Sequence, residues 1–212
     1  MAASTPVSLS GKLIRIAVWA GLSCATIGPV IIAAFSPLLD YRSAAYVVAG
    51  LSGASALALM LLQPLLAAGY LPGLRLFQSR NLHRWIGMVI VAGVVLHIGG
   101  LYLTSPPDAL DALLLVSPTP FSVYGVIGMW GLVVTVLLVM LRDRLGLRPR
   151  LWRTVHNGVV TVVVASSVAH ALMIDGTMGF LSKQLLCVAI IVVLALVTLN
   201  LRIIRPMMQK RT

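Results

Sequence analysis

Long apolar stretches separated by short polar ones set the frame of this chain. They run over about residues 13–35, 43–71, 82–104, 121–141, 151–173 and 178–204. Each reaches the roughly 20 residues that an α-helix, rising about 1.5 Å per residue, needs to cross the hydrocarbon core of a bilayer. The segments between them hold the helix breakers: Pro37, Pro72-Gly73, Pro106-Pro107, Pro118 and Pro120, and Asp175-Gly176. The pattern predicts an all-α, polytopic membrane protein: one six-transmembrane-helix bundle over residues 1–212. No segment is left for a soluble flavin or nicotinamide domain, and no Gly-rich dinucleotide fingerprint occurs. Gly28-Pro29 is expected to kink the first helix and Pro64 to bend the second. Residues 108–116 are too few to span and predict a small amphipathic helix on the membrane surface. Leu74–Asn81 and Arg142–Arg150 read as basic loops.

Composition agrees with a membrane solvent: 59% hydrophobic residues, 10% charged and a mean hydropathy of +1.02. The first apolar run follows Lys12 and Arg15 but exceeds the 7–15 residues of a signal-peptide core, so it reads as an uncleaved helix. The net charge of +11 could point to nucleic acid, but its distribution points to topology. With six spans, every Lys and Arg except Arg42 and Lys183 falls on the side holding both termini. Four acids, Asp40, Asp108, Asp111 and Asp175, fall on the other. By the positive-inside rule both termini are cytoplasmic. The expected location is a bacterial-type inner membrane, with lipid as surroundings and no nucleic-acid partner. Cys24 and Cys187 both lie in apolar runs and read as buried thiols. The absence of Cys-x-x-Cys-His argues against a covalent c-type haem.

The four histidines carry the chemistry. His83 and His97 end one apolar run, His156 and His170 another, and both pairs are 14 residues apart. Fourteen residues turn a helix to within about 40° of four full turns and advance it roughly 21 Å, so each pair lies on one face at two depths. The third and fifth spans run in parallel, which brings His83 level with His156 near the cytoplasmic boundary and His97 level with His170 nearer the outside. Ionisable groups inside spans mark functional sites, and neutral imidazole is an axial ligand of haem iron. Two such helices predict two non-covalent haem b groups, with His83 and His156 on the inner iron and His97 and His170 on the outer. Gly87 and Gly93 either clear space for a porphyrin or simply let helices approach; Gly99-Gly100, Ala165 and Ser166 are read in the same way. Arg80, Arg84 and Arg153 either pair with haem propionates or snorkel at the boundary. Trp85 and Trp152 read as interfacial anchors or haem-edge contacts, and Trp130 as lying near the gap between haems.

These residues resemble the ferric-reductase-like transmembrane domain. That superfamily includes ferric reductases, NADPH oxidases and the haem-binding membrane subunit of the methionine sulfoxide reductase system. The resemblance rests on six helices and the histidine pairs on the third and fifth. Trp152-Arg-Thr-Val-His156-Asn157 and Leu96-His97 are similar to the sulfoxide-reductase subunit, whereas a histidine at position 83 resembles the two-haem oxidases and reductases. The resemblance implies an oxidoreductase or its electron-transfer subunit. Electrons would pass from a cytoplasmic flavoprotein or quinol to an outer ferric chelate, dioxygen or periplasmic oxidoreductase. FMN, FAD or quinone would enter through a partner or at the inner face. Two other readings stand beside it: a quinol-oxidising cytochrome b anchor of a periplasmic reductase, and a haem-free metal or proton channel.

Overall fold

The computed structural model describes residues 9–204 and 207–208. The described residues are helical, without strands. The helices are α1 (Leu9–Ala34), α2 (Ala44–Met60), α3 (Leu62–Ala68), α4 (Leu76–Thr104), α5 (Pro106–Leu113), α6 (Pro120–Met140), α7 (Arg142–Leu145), α8 (Pro149–Met173) and α9 (Phe180–Leu199). Taking α2 with α3, and α9 with the π-helical turn Asn200–Ile204, six of these units are long and apolar enough to span a membrane.

Local chemistry sets the ends. Ser43 caps α2 by accepting the Tyr46 N–H. Gly69 (φ 68°) and Gly73 (φ 83°) take the left-handed conformation that turns the chain from α3 to α4. Pro64 would have donated to the Met60 carbonyl; it has no N–H, and α2 gives way to α3 at Leu61. By contrast α1 continues through Pro29 as one helix. Two expected loops are corrected. Leu76–Asn81 is the first part of α4, started by the Arg75 N–H donating to Gln78 Oε1 and anchored where buried Ser79 donates to the Leu66 carbonyl. The basic stretch after α6 holds the short helix α7, closed by Gly146 at φ 55°. The expected amphipathic segment is α5, which begins at Pro106.

Packing depends on small residues, as it must where lipid is as apolar as the side chains. The two most extensive helix contacts are α2 with α4 and α6 with α8. Gly93 faces the Ser52 carbonyl and the Ala56 methyl, and Gly100 faces the Ala45 carbonyl and the Ala49 methyl. On α6, Gly128 faces Ser166 and Ser167 of α8, and Gly131 faces Val163. The core joins α2 residues such as Leu57 and Met60 to Val163 and Val164 of α8 and Leu186, Cys187 and Ile190 of α9. Large apolar side chains such as Val89, Leu96, Leu137 and Val188 cover the outside, the arrangement of a protein whose solvent is lipid. Cys24 is on this exterior, so only Cys187 is a buried thiol among the two.

The α2–α4 seam yields a paired expectation. A Cβ at Gly100 would come 2.8 Å from the Ala45 carbonyl oxygen, whereas one at Gly99 meets nothing within 4 Å. Gly100→Leu should destabilise the purified protein by about 1–3 kcal/mol through overpacking, and Gly99→Leu by less than about 0.5 kcal/mol. Thermal unfolding in detergent measures both; equal effects would contradict this seam.

Candidate functional site

His97 on α4 and His170 on α8 meet across the bundle. Their ring centres are 6.3 Å apart, with planes at 82°. Each ring is held by the helix packed against its own. His97 Nδ1 lies 2.8 Å from the Ala49 carbonyl of α2, and His170 Nδ1 lies 2.8 Å from the Phe121 carbonyl of α6. A carbonyl only accepts, so both Nδ1 atoms carry the proton and both Nε2 atoms keep a free lone pair.

Glycine makes these contacts possible. Four residues after each acceptor carbonyl, one helical turn on, stands Gly53 on α2 or Gly125 on α6. A Cβ at Gly53 would fall 2.7 Å from His97 Nδ1, and one at Gly125 2.8 Å from His170 Nδ1 and Cε1. The two halves repeat: acceptor and histidine are separated by 48 residues in one and 49 in the other. The repeating unit is a helix pair, α2–α4 and α6–α8, each with one acceptor carbonyl and one histidine. The missed signal was Gly53 preceding His97 by nearly the interval at which Gly125 precedes His170.

Both rings line a cavity of about 270 Å³. Its wall is mostly small or aliphatic, including Gly50, Gly53, Ala54, Gly125 and Gly128, with Ala109, Ala112 and Leu113 of α5 on one side. The turn after α8 contributes Ile174, Gly176, Thr177 and Met178, and α9 contributes Lys183. Two imidazoles bound to one metal ion from opposite sides, each nitrogen about 2.0–2.1 Å from it, have ring centres roughly 6 Å apart. The 6.3 Å separation fits that arrangement.

The other level, at the basic end of the bundle, is built differently. His83 Nδ1 donates to the Gln63 carbonyl at 3.2 Å, and the Gln63 amide returns a bond to the His83 carbonyl at 3.3 Å. His156 is within electrostatic range of His83, but its Nδ1 is buried with no partner among the described residues, as is Trp152 Nε1. What holds the His156 ring is stacking: Trp152 lies 5.0 Å away at 8°, and the Arg142 guanidinium sits 4.8 Å over the Trp152 ring.

The remaining expected residues are distributed as follows. Gly87 faces the Gln63 amide, and Gly93 and Gly100 belong to the α2–α4 seam. Gly99 and Ala165 face outward, while Ser166 packs at Gly128 and Ser167 reaches the cavity. Arg80, Arg84 and Arg153 are exposed; Arg84 bonds Asn81, and Arg153 bonds the Pro149 carbonyl of its own helix. Trp85 and Trp130 are also on the exterior, so Trp130 does not point into the space between the two histidine levels.

Fold and site together define a polytopic helical membrane protein in which one histidine pair, His97 and His170, meets across the bundle, with His83 and His156 on the same two helices. The model of the ferric reductase like transmembrane component matches residues 52–167, more than half of the chain. The chain belongs to that family, whose activity is transmembrane electron transfer. The match covers His83, His97 and His156 and stops three residues short of His170. No curated protein and no solved structure matched.

The ring-locking geometry is directly measurable. In ¹⁵N-histidine-labelled protein without added cofactor, His97 and His170 should give the signals of protonated Nδ1 and unprotonated Nε2. Gly125→Ala should disturb His170 and leave His97 as it was; an unchanged His170 signal would contradict the glycine contact.

Proposed function

We propose that this chain is a di-haem b-type electron-transfer protein of the membrane, carrying electrons from a cytoplasmic-side donor to an outer-side acceptor. The observation that carries the reading is the His97–His170 pair, 6.3 Å between ring centres, with both Nδ1 atoms bonded to carbonyls and both rings on one small-residue cavity. Among the described residues, no third His, Cys, Asp or Glu joins either histidine pair. A metal ion held here takes its other ligands from elsewhere, which favours a porphyrin over a bare ion in a channel.

Bound haem supplies a one-electron iron couple at each level. The chain does the rest. Nε2 of His97 and His170 would hold the iron at one level, and the imidazoles of His83 and His156 would hold it at the other. The carbonyl bonds fix ring orientation and raise imidazole basicity, as outer-shell acceptors do for metal-bound histidine. The wall around His97 and His170 is mostly apolar. The two levels are 14 residues apart on each helix, roughly 21 Å along its axis. The Lys and Arg pattern supports cytoplasmic termini, which would put the His83–His156 level on the donor side. That basic face suits an acidic flavoprotein, a flavin phosphate or the headgroup environment of a quinol. The acidic loops at the other end suit a cationic or basic acceptor, such as a ferric species or a periplasmic oxidoreductase. Arg80, Arg84 and Arg153 fit boundary and donor-face roles.

One observation favours a second reading. His156 lacks the carbonyl partner that the other three histidines have. A chain filled only at His97–His170, with the basic end open to quinol or flavin, would resemble a cytochrome b anchor of a periplasmic reductase.

Haem per polypeptide separates these. By pyridine haemochrome on detergent-purified protein, two b-type haems are expected, falling to one in His97→Ala and in His170→Ala. One haem in the unaltered protein, retained in His83→Ala, would establish the single-haem reading. Full haem content in both the His97 and the His170 variants would overturn the assignment.

A further inference from the structure

Lys183 lies near the start of α9 and is 4% exposed. Its place in the sequence puts it with Arg42 on the side away from the termini; in the fold it lines the cavity that holds His97 and His170. Apart from those histidines, it is the only ionisable side chain among the described residues of that wall.

Burying an ammonium in a membrane-spanning bundle is costly unless an anion or a full set of acceptors answers it. The chain offers little. Lys183 Nζ donates to the Ile174 carbonyl. The nearest carboxylate, Asp175, is 3.8 Å away and fully exposed at 102%. A carboxylate so hydrated contributes little to holding a charge. Three N–H donors thus meet one carbonyl and one loosely placed, solvated carboxylate. The hydroxyl of Thr177 supplies another polar group on the same wall.

Resting on the haem reading above, we infer that Lys183 is the counter-charge for a carboxylate brought into this cavity by the prosthetic group, a haem propionate. A buried ammonium and a carboxylate form a charge-assisted pair of the strong kind, and the anion supplies what the chain withholds from Lys183. The role is positioning: Lys183 would set the rotation of the porphyrin plate about the axis between His97 and His170.

Esterified haem tests this, because haem dimethyl ester keeps the iron and the plate but loses both carboxylate charges. The probes are haem and its dimethyl ester, titrated into haem-depleted, detergent-solubilised full-length protein and followed by the Soret band. The carrier is His83→Ala, so that only the His97–His170 level is read. On it, haem should bind about tenfold more tightly than the ester. Adding Lys183→Met should bring the two affinities to within about twofold, and Lys183→Arg should restore the preference. Asp175→Asn should preserve it. Since Lys183→Met replaces a buried charge by an apolar chain of similar length, the fold is expected to survive, checked by elution in a single monodisperse peak. An unchanged preference for haem in Lys183→Met would overturn the inference. So would a variant that keeps the preference but reduces an anionic ferric chelate more slowly, because that assigns Lys183 to an external anion. Binding of neither probe to the carrier would instead overturn the haem reading itself.

Discussion

Everything at the centre of this bundle depends on two imidazole N–H groups given to main-chain carbonyls of adjoining helices. Each such bond is worth little in net stability, about 0.5–1.5 kcal/mol in water and near 0.6 kcal/mol on average between membrane helices. Its effect is directional. A helix carbonyl is already engaged by the N–H one turn on, and a side chain at that position would stand in the way of a second donor. Glycine at positions 53 and 125 leaves the carbonyls of Ala49 and Phe121 open. The rings then have one orientation and one tautomer, and the remaining nitrogen is committed to whatever occupies the cavity.

The same contacts explain why the helices pair as they do. In lipid, apolar faces do not drive helices together, so close approach must come from small residues. On α4, Gly93 and Gly100 lie seven residues apart and bring that helix against Ser52, Ala56, Ala45 and Ala49 of α2. The seam that packs the helices is also the seam that delivers the Ala49 carbonyl to His97. In the other half, Gly125, Gly128 and Gly131 follow one face of α6, and the first of them adjoins His170.

This economy decides what could be read from the sequence. Six spans were legible because apolar length is a one-dimensional signal. The meeting of His97 and His170 was legible because a 14-residue interval on each of two parallel spans determines both face and depth. Which glycine clears the ring was not, because hydropathy is nearly uniform around these helices and gives no face a name. Gly87 and Gly93, on the histidine's own helix, are the glycines its spacing points to, whereas Gly53 and Gly125 on the neighbouring helices adjoin the rings. The inward orientation of Lys183 was not legible for a related reason. Sequence places a charge relative to a span end but not relative to the axis of the bundle, and Lys183 faces inward where α9 begins. Leu76–Asn81 was read as loop because its charge outweighed its lack of Pro and Gly; the Gln78 side chain that caps the helix start sits inside that stretch.

The two levels are not copies, and the difference has a direction. At the His97–His170 level both rings are fixed by carbonyls and the wall is small and apolar. At the other, His83 shares a reciprocal pair with Gln63, while His156 depends on an i to i+4 stack with Trp152, steadied by Arg142. A stack constrains the plane of a ring but leaves its nitrogens uncommitted, so His156 can accept either tautomer as its surroundings change. Arg142 begins α7 at the basic end, which ties that freedom to the face where, on the proposed function, an electron donor would dock. On the di-haem reading proposed above, a level with rigid ligands would suit an invariant electron exit, and a level with one adjustable ligand an entry that must respond to its donor. On that reading the asymmetry would belong to the electron path, and the structural difference beneath it is one withheld carbonyl between the same two helix pairs.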